Sequence, residues 1–466
     1  MPEKPPSVSK GSLQLDDVFV SVQSHFPLIF AAEMERSLAA GQRLSAEGAF
    51  DFNLKSRGAF NGGTFDNQRF DFFGEQATLF QGISVFGGYR LGYGDYPVYY
   101  GDRKTADGGE FRAGVQIPLL KDAAIDRRRA NLRQAWITQN LAEPTVQRAR
   151  IDAYRAAAKA YWNWTAAGQN VLVAQRLLKI ASDRQNGLEA QFKKGQISEF
   201  VVIDNRRLIA EREGAEIASE RRLQQAALEL SLFWRDGKGD PIVPQAVQLP
   251  SDFANRQPSG PASASLSQFV ATAWAKRPEL ERFRLLRERT AVELQLAQNQ
   301  ALPSLNAVIS GGQDVGAGKK GDGIFALDRT NGDVSVFLEV PLQRRDARGK
   351  QQIADAALAQ LLAQERIVRD QISIEVQDAM SNLEKTHLRL GKAREEQQIA
   401  QRVADLERDR FSKGQGTLLE VNLRELAAAA AQAKVIDTLA EFLRAQADLE
   451  AAIGFPAIEP NPSERR

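Results

Sequence analysis

The sequence predicts a mainly α fold with a minority of β, made from one helix, β-hairpin and long-helix unit that is written twice. Three observations carry that prediction. Punctuation residues recur in register over nearly the whole chain, two stretches of about 70 residues have helical composition and spacing, and short alternating segments sit at matching places in both copies.

A repeat of this length means two copies of one large supersecondary unit. Laid over one another, residues 13–235 and 265–455 bring Pro27 onto Pro278, Pro118 onto Pro341 and Gly195 onto Gly414. The offset falls from 251 to 223 to 219 residues, so copy one carries 28 extra residues between its first two prolines, within 58–109. From the second proline to the glycine the copies differ by four residues, about one helical turn.

Each copy reads in the same order. In copy one a helix near 27–46 leads to a hairpin over 47–119 with a long loop at 58–109, a long helix at 122–192 and a medium helix at 199–234. In copy two a helix near 278–301 leads to a hairpin over 303–341, a long helix at 346–412 and a helix at 418–453. Residues 1–12 read as a disordered leader, 236–264 as an equatorial linker rich in Gly, Pro and Ser, and 456–466 as a C-terminal tail.

The strands are called by alternation. Phe111, Ala113, Val115, Ile117 and Leu119 alternate with Arg112, Gly114, Gln116 and Pro118, and Val334, Val336, Leu338 and Val340 alternate with Ser335, Phe337 and Glu339. Leu305, Ala307 and Ile309, and Phe50, Phe52 and Leu54, supply the shorter partners. A soluble sandwich with one solvated face carries the same pattern. Four strands, however, leave two unpaired edges, a liability that closure with strands of other chains removes. After Pro118 and Pro341 the period changes, and positions such as Ile151, Tyr154, Ala158 and Tyr161 step by three and four, with Pro144 as the only breaker. Each long helix would run roughly 100 Å, and the two medium helices of a copy junction together match one long one.

Bulk properties exclude several classes. Of the 466 residues 26% are charged, and no apolar run is long enough for a transmembrane helix, so only a barrel could span a bilayer. The net charge of +2 gives no reason to expect nucleic acid as partner. Zero cysteines and two histidines, His25 and His387, leave no thiolate chemistry, no zinc cluster and no Ser-His-Asp arrangement. Gly316 to Gly321 satisfies GxGxxG but is not followed by a helix start that could hold a pyrophosphate. Asp328 to Asp333 lacks the spacing of a calcium loop. Met1 to Asp17 shows no basic segment followed by an apolar one, so an exported protein is expected to have had its signal trimmed from this form.

The doubled pattern, with Leu302-Pro303-Ser304-Leu305 before one strand and a proline at each return from strand to helix, resembles the TolC-like outer-membrane efflux family over about residues 13–455. The resemblance implies a homotrimer whose four strands per protomer build a twelve-stranded outer-membrane β-barrel, continued by a periplasmic α-helical barrel. It implies a passive duct of a tripartite efflux pump or type I secretion system, located in the bacterial outer membrane. The partners it implies are outer-membrane lipid, a periplasmic adaptor and an inner-membrane transporter. It implies no catalysis, no cofactor and no metal. A soluble helical scaffold sharing the repeat is the rival reading, and an adaptor is disfavoured because no lipoyl-like β module interrupts 122–234.

Site residues follow from the same resemblance. The turns Gly195-Gln196-Ile197-Ser198 and Gly414-Gln415-Gly416-Thr417 match the periplasmic tip where the adaptor engages. Glycine there ends a helix with positive φ, and Ser198 and Thr417 are placed to cap the next one. In the family, acids about six and nine positions past the second glycine line the closed aperture. Here Glu420 holds the sixth position, but Leu423 holds the ninth, with Asn422 beside it, and Gly416 replaces a frequent arginine. In copy one Val201 and Asp204 hold those positions. The expected aperture set is therefore Glu420, Asp204 and Asn422. The loop at 58–109 gathers five of the seven tyrosines, Tyr89, Tyr93, Tyr96, Tyr99 and Tyr100, as a membrane-interface set or as a cover for a barrel mouth.

Overall fold

The computed structural model describes residues 11–97, 104–258, 260, 265–316 and 330–455. Residues 1–10, the tail past Phe455, Tyr99 and Tyr100, Ala317 to Gly321, and Asp328 and Arg329 lie outside the described residues. The chain divides into a helical unit (Met1–Met34, Pro144–Leu280, Ile367–Arg466) and a sheet unit (Glu35–Glu143, Glu281–Arg366).

The repeat is plain in the element order. Copy one gives α1 (Leu15–His25), α2 (Pro27–Glu47), four strands, α3 (Arg127–Lys193) and α4 (Glu199–Ser231). Copy two gives α5 (Leu266–Lys276), α6 (Pro278–Gln300), two strands, α7 (Arg345–Ser412) and α8 (Leu418–Ala452). Pro27 and Pro278 open α2 and α6 because a first-turn residue needs no N–H partner. Each forces the residue before it, Phe26 or Arg277, into extended backbone, which breaks the preceding helix. The two copies then diverge. Phe26 packs on Phe233 at 5.3 Å between ring centres, whereas buried Arg277 donates to the carbonyls of Ala451 and Ala452 at the end of α8. Helix α3 starts at Arg127, later than the expected 122, because Asp122 turns with φ +68 and the Asp126 carboxylate accepts from the Arg129 N–H at 2.9 Å. It runs on through Pro144, at the loss of one backbone bond.

The sheet corrects one expectation. Six strands, not four, form a single antiparallel meander in sequence order: β1 (Asn53–Asn61), β2 (Asn67–Ala77), β3 (Ser84–Gly94), β4 (Glu110–Pro118), β5 (Ser304–Asp314) and β6 (Thr330–Glu339). The stretch 58–109 is therefore not one long loop, since it holds β2, β3 and the end of β1. Its glycines hid the signal: Gly74, Gly87, Gly88 and Gly92 interrupt the alternation that Phe70, Phe72, Tyr89 and Leu91 otherwise keep. Phe50 lies in a short 3-10 turn ahead of β1 rather than in the strand.

The main core of the helical unit lies around Tyr161 and Trp164 of α3, Phe19 of α1, Leu230 of α4 and Leu439 of α8, all buried. Linker residues close it. Phe253 is fully buried, Gln169 donates to the Pro250 carbonyl at 3.3 Å, and a Cβ on Gly168 would meet Leu249 at 2.3 Å. The Tyr161 hydroxyl donates to Leu13 at 2.9 Å, tying the N-terminal strand of chain to the same core. His387 stacks near Phe442 at 5.6 Å, a packing residue. In the sheet unit, Ile125, Ala130 and Ile137 of α3 pack with Leu285 and Val292 of α6.

Candidate functional site

Two places in the molecule carry functional geometry, the sheet and the interhelical turns. Register assigns every strand residue to one of two faces. One face collects Leu54 and Phe60, Phe70 and Phe72, Val85, Tyr89 and Leu91, Phe111, Val115 and Ile117, Leu305 and Ile309, and Val334, Val336 and Leu338. Apart from Ser56, only strand-end residues bring polar side chains to it. Phe60, Phe72, Phe111, Val334 and Leu338 are among its exposed members. Aromatic pairs bind it laterally, with Tyr89 and Phe111 at 5.1 Å and Phe60 and Phe70 at 5.5 Å.

The opposite face carries the charge, with Phe73, Phe86, Val308 and Phe337 as its large apolar exceptions. Arg69 and Arg90 pair with Asp71 at 2.8 and 3.0 Å, Arg90 reaches Glu110 at 3.5 Å, and Arg112 reaches Asp333 at 3.1 Å. The Asp71 side chain is only 8% exposed. Apolar outside and ionic inside is the reverse of a water-soluble sheet, and it is the arrangement of a barrel wall between lipid and a polar lumen. Tyr89 and Tyr93 stand on the apolar face, and their hydroxyls donate to the carbonyls of Gly108 and Asp107 at 2.8 and 3.2 Å. Tyr96 donates to Gln68 at 3.0 Å. Apolar ring and satisfied hydroxyl together suit a membrane boundary.

The two turns share one backbone design. Gly195 and Gly414 adopt φ +72 and +73. In copy one, the N–H groups of Gly195 and Gln196 donate to Phe192 and Gln191 at 2.8 and 3.0 Å; in copy two, those of Gly414 and Gln415 donate to Phe411 and Arg410 at 3.0 and 2.9 Å. This is a Schellman ending, which satisfies the last carbonyls of each long helix. Ile197 packs with Leu188, Val202 and Leu418, while Gln196 and Gln415 are exposed.

The caps differ between copies. The Thr417 hydroxyl accepts from the Glu420 N–H at 3.3 Å, and Glu420 Oε2 accepts from the Thr417 N–H at 2.8 Å and its hydroxyl at 3.0 Å, a complete capping box. Ser198 occupies the equivalent position without a side-chain cap bond. Val201 stands where Glu420 does and offers no carboxylate for the reciprocal bond, and its N–H donates to the Ser198 backbone carbonyl at 3.2 Å instead. The Thr417 N–H, and then its hydroxyl, hold the Glu420 carboxyl below the usual carboxylate range. A depressed folded pKa contributes stability above the ordinary glutamate value and loses it as pH falls through the depressed one. Hydrogen exchange in the first turn of α8, corrected for intrinsic rate, is expected to rise on acidification in the wild type. Glu420→Gln, which keeps the cap without the charge, is expected to flatten that dependence; an unchanged profile would contradict the carboxylate's role.

The other aperture candidates have internal partners. Asp204 accepts from Arg207 at 3.0 Å on its own helix. Asn422 is buried, and its carbonyl oxygen accepts from Arg184 at 2.6 Å. It belongs to a cluster not foreseen from the sequence, centred on Glu425 of α8, which Arg184 of α3 meets at 2.6 Å, Arg212 of α4 at 3.6 Å and Arg408 of α7 at 3.5 Å. Arg212 also donates to the Leu177 carbonyl at 2.6 Å, and burial pushes its guanidinium pKa down. Four helices thus share one buried carboxylate. Asn205 and Arg212, one heptad apart on α4, and Asn422 and Glu425, three apart on α8, were the available signal: polar residues at positions whose spacing faces a partner helix.

Among the described residues no group of three or more His, Asp or Glu could hold a metal ion, and no helix is long and apolar enough to cross a membrane. No curated protein sequence matches the chain significantly. By structure it is similar to the open-state MtrE outer membrane channel of Neisseria gonorrhoeae, with TM-score 0.67 and 14% identity over 97% of this chain and 94% of that one. It is similar to the CmeC outer membrane channel of Campylobacter jejuni, with TM-score 0.63 and 11% identity over 94% and 85%. The outer membrane protein VceC of Vibrio cholerae gives TM-score 0.62 and 16% identity over 95% and 96%. At these identities the likeness concerns the fold. The family described as outer membrane efflux protein matches residues 92–234 and 270–455, most of the chain and both copies of its repeat, and to that family this chain belongs.

Proposed function

We propose that the chain is the outer-membrane duct of a tripartite efflux pump or type I secretion system, acting as a homotrimer that conducts substrate passively. The single observation that carries this reading is the sheet that gathers exposed apolar side chains on one face and its ion pairs on the other. Trimer formation is supported by a second one. Exposed Ile353, Ile367, Ile374 and Leu388 of α7 recur at multiples of seven residues, as do Ile399 and Leu406, a stripe suited to a neighbouring helix. On α8, exposed Leu419, Leu423 and Leu426 form a second stripe near the turn. The rival soluble scaffold accounts for the helices but leaves the inside-out sheet without a purpose.

In this proposal the two turns, with Gly195, Gln196, Ile197 and Ser198 and with Gly414, Gln415, Gly416 and Thr417, form the periplasmic tip that meets the adaptor, which links the duct to an inner-membrane transporter. Glu420 and Asp204 stand at the aperture, and Asn422 holds the helix beside it through Arg184. Energy comes from the transporter. Density-gradient fractionation of the producing bacterium is expected to place the protein with the outer membrane as a trimer, and deletion of its gene together with the neighbouring pump is expected to raise sensitivity to the pump's substrates no more than either deletion alone. Recovery in the soluble fraction sinks the reading.

A further inference from the structure

Resting on that reading, we propose that the membrane barrel of this protein has eighteen strands, six from each copy, closed where β1 of one copy pairs with β6 of the next, and that its bore is wider than four strands per copy would give. The extra pair is part of the wall. Every residue of β1 is paired with β2, β2 is paired along its length with β3, and β3 is paired with β4, so β2 and β3 stand between β1 and β4 rather than folding off as a flap. The six strands are 9 to 11 residues long, the length that crosses a bilayer when tilted. The apolar face continues through the extra pair in Phe70, Phe72, Val85, Tyr89 and Leu91, and the ionic face continues in Arg69, Asp71 and Arg90.

Closure follows from the two edges that remain, β1 and β6. Unpaired N–H and C=O groups are not tolerated in hydrocarbon, so these edges need partners. In a six-strand meander β1 and β6 run in opposite directions, and a second copy therefore presents its β1 antiparallel to β6. Pairing Asn53 with Glu339 through to Asn61 with Asn331 uses all of β1 and keeps Leu54 and Leu338 on one face. Independent geometry agrees. Hydrogen-bonded rungs lead from Leu54 through Gly74, Gly87, Ala113 and Gly311 to Gly332. Meeting the next Leu54 at Leu338 shifts the register by about six residues per copy, which gives a strand tilt of about 35°, the value barrels take. At about 4.8 Å between strands, eighteen such strands enclose about 34 Å between backbones, against about 22 Å for twelve. The charged groups of β2 and β3 line the added wall.

The test uses the full-length trimer in lipid nanodiscs and the absence of native cysteine. Cryo-electron microscopy of the wild type is expected to show eighteen strands, and twelve would overturn the proposal while leaving the channel reading intact. Leu54→Cys with Leu338→Cys, oxidised in outer-membrane vesicles, is expected to yield a covalently linked trimer, and Leu54→Cys with Val334→Cys is expected not to. Linkage only in the second pair would overturn the register. No trimer in the outer membrane at all would remove the functional reading and the barrel with it.

Discussion

Replacing Glu425 by alanine is expected to destabilise the helical unit by about 3–5 kcal/mol, because it strips the shared counter-charge from buried cations. The Glu425 side chain is 2% exposed, that of Arg212 5% and that of Arg184 15%. With the carboxylate gone, two guanidiniums face each other across a dry interior with only Asn422 and the Leu177 carbonyl left to them. Arg408, 44% exposed, can turn to water, so Arg408→Ala is expected to cost about 1 kcal/mol or less. Denaturant titration followed by helical circular dichroism on the purified trimer measures both. Equal effects of the two substitutions would show that Glu425 is solvated in practice and that the four helices do not depend on it. Glu425→Gln is expected to fall between, since the amide keeps hydrogen bonds but not charge.

Elements whose residues repeat at a fixed period show in the sequence, and elements without such a period stay hidden. The long helices were legible because α3 and α7 repeat their apolar positions many times with one proline between them, and the repeat was legible because Pro27, Pro118 and Gly195 each have a counterpart doing the same backbone work. The positive φ of Gly195 and Gly414 leaves its mark in the sequence for a similar reason, since that conformation asks for one residue type. Strands β2 and β3 escaped because glycine at 74, 87, 88 and 92 erases alternation, with Gly74 and Gly87 facing each other on one rung of the β2–β3 pair. Glu420 shows a different limit. Its identity as a carboxylate was visible, but its engagement with Thr417 depends on that residue being the N-cap, three positions before it. The Glu425 cluster left polar residues at partner-facing positions, but not the identity of the partners: Arg184, Arg212 and Arg408 come from three other helices, and no local pattern reports the 241-residue contact of Arg184.

Moving a charge by one residue along β6 is expected to reverse its effect. Val336 lies on the apolar face, 61% exposed and opposite Ala307, whereas Ser335 lies on the ionic face opposite Val308, two residues from Asp333 and next to it on that face. Val336→Arg near the middle of the strand would hold a guanidinium in hydrocarbon at about 2–4 kcal/mol per copy, and a trimer takes that three times. The expected result is little or no trimer in the outer-membrane fraction and accumulation of unassembled chain. Ser335→Arg is expected to assemble normally, because the same side chain then enters a water-filled lumen beside an acid. The two positions are adjacent in one strand and receive the same side chain, so a difference between them reports the face and not the strand. If Val336→Arg assembled as well as Ser335→Arg, the apolar face would be covered by protein instead of lipid. The inside-out sheet would then be the packed layer of a larger soluble assembly, and the channel reading would lose the observation it stands on.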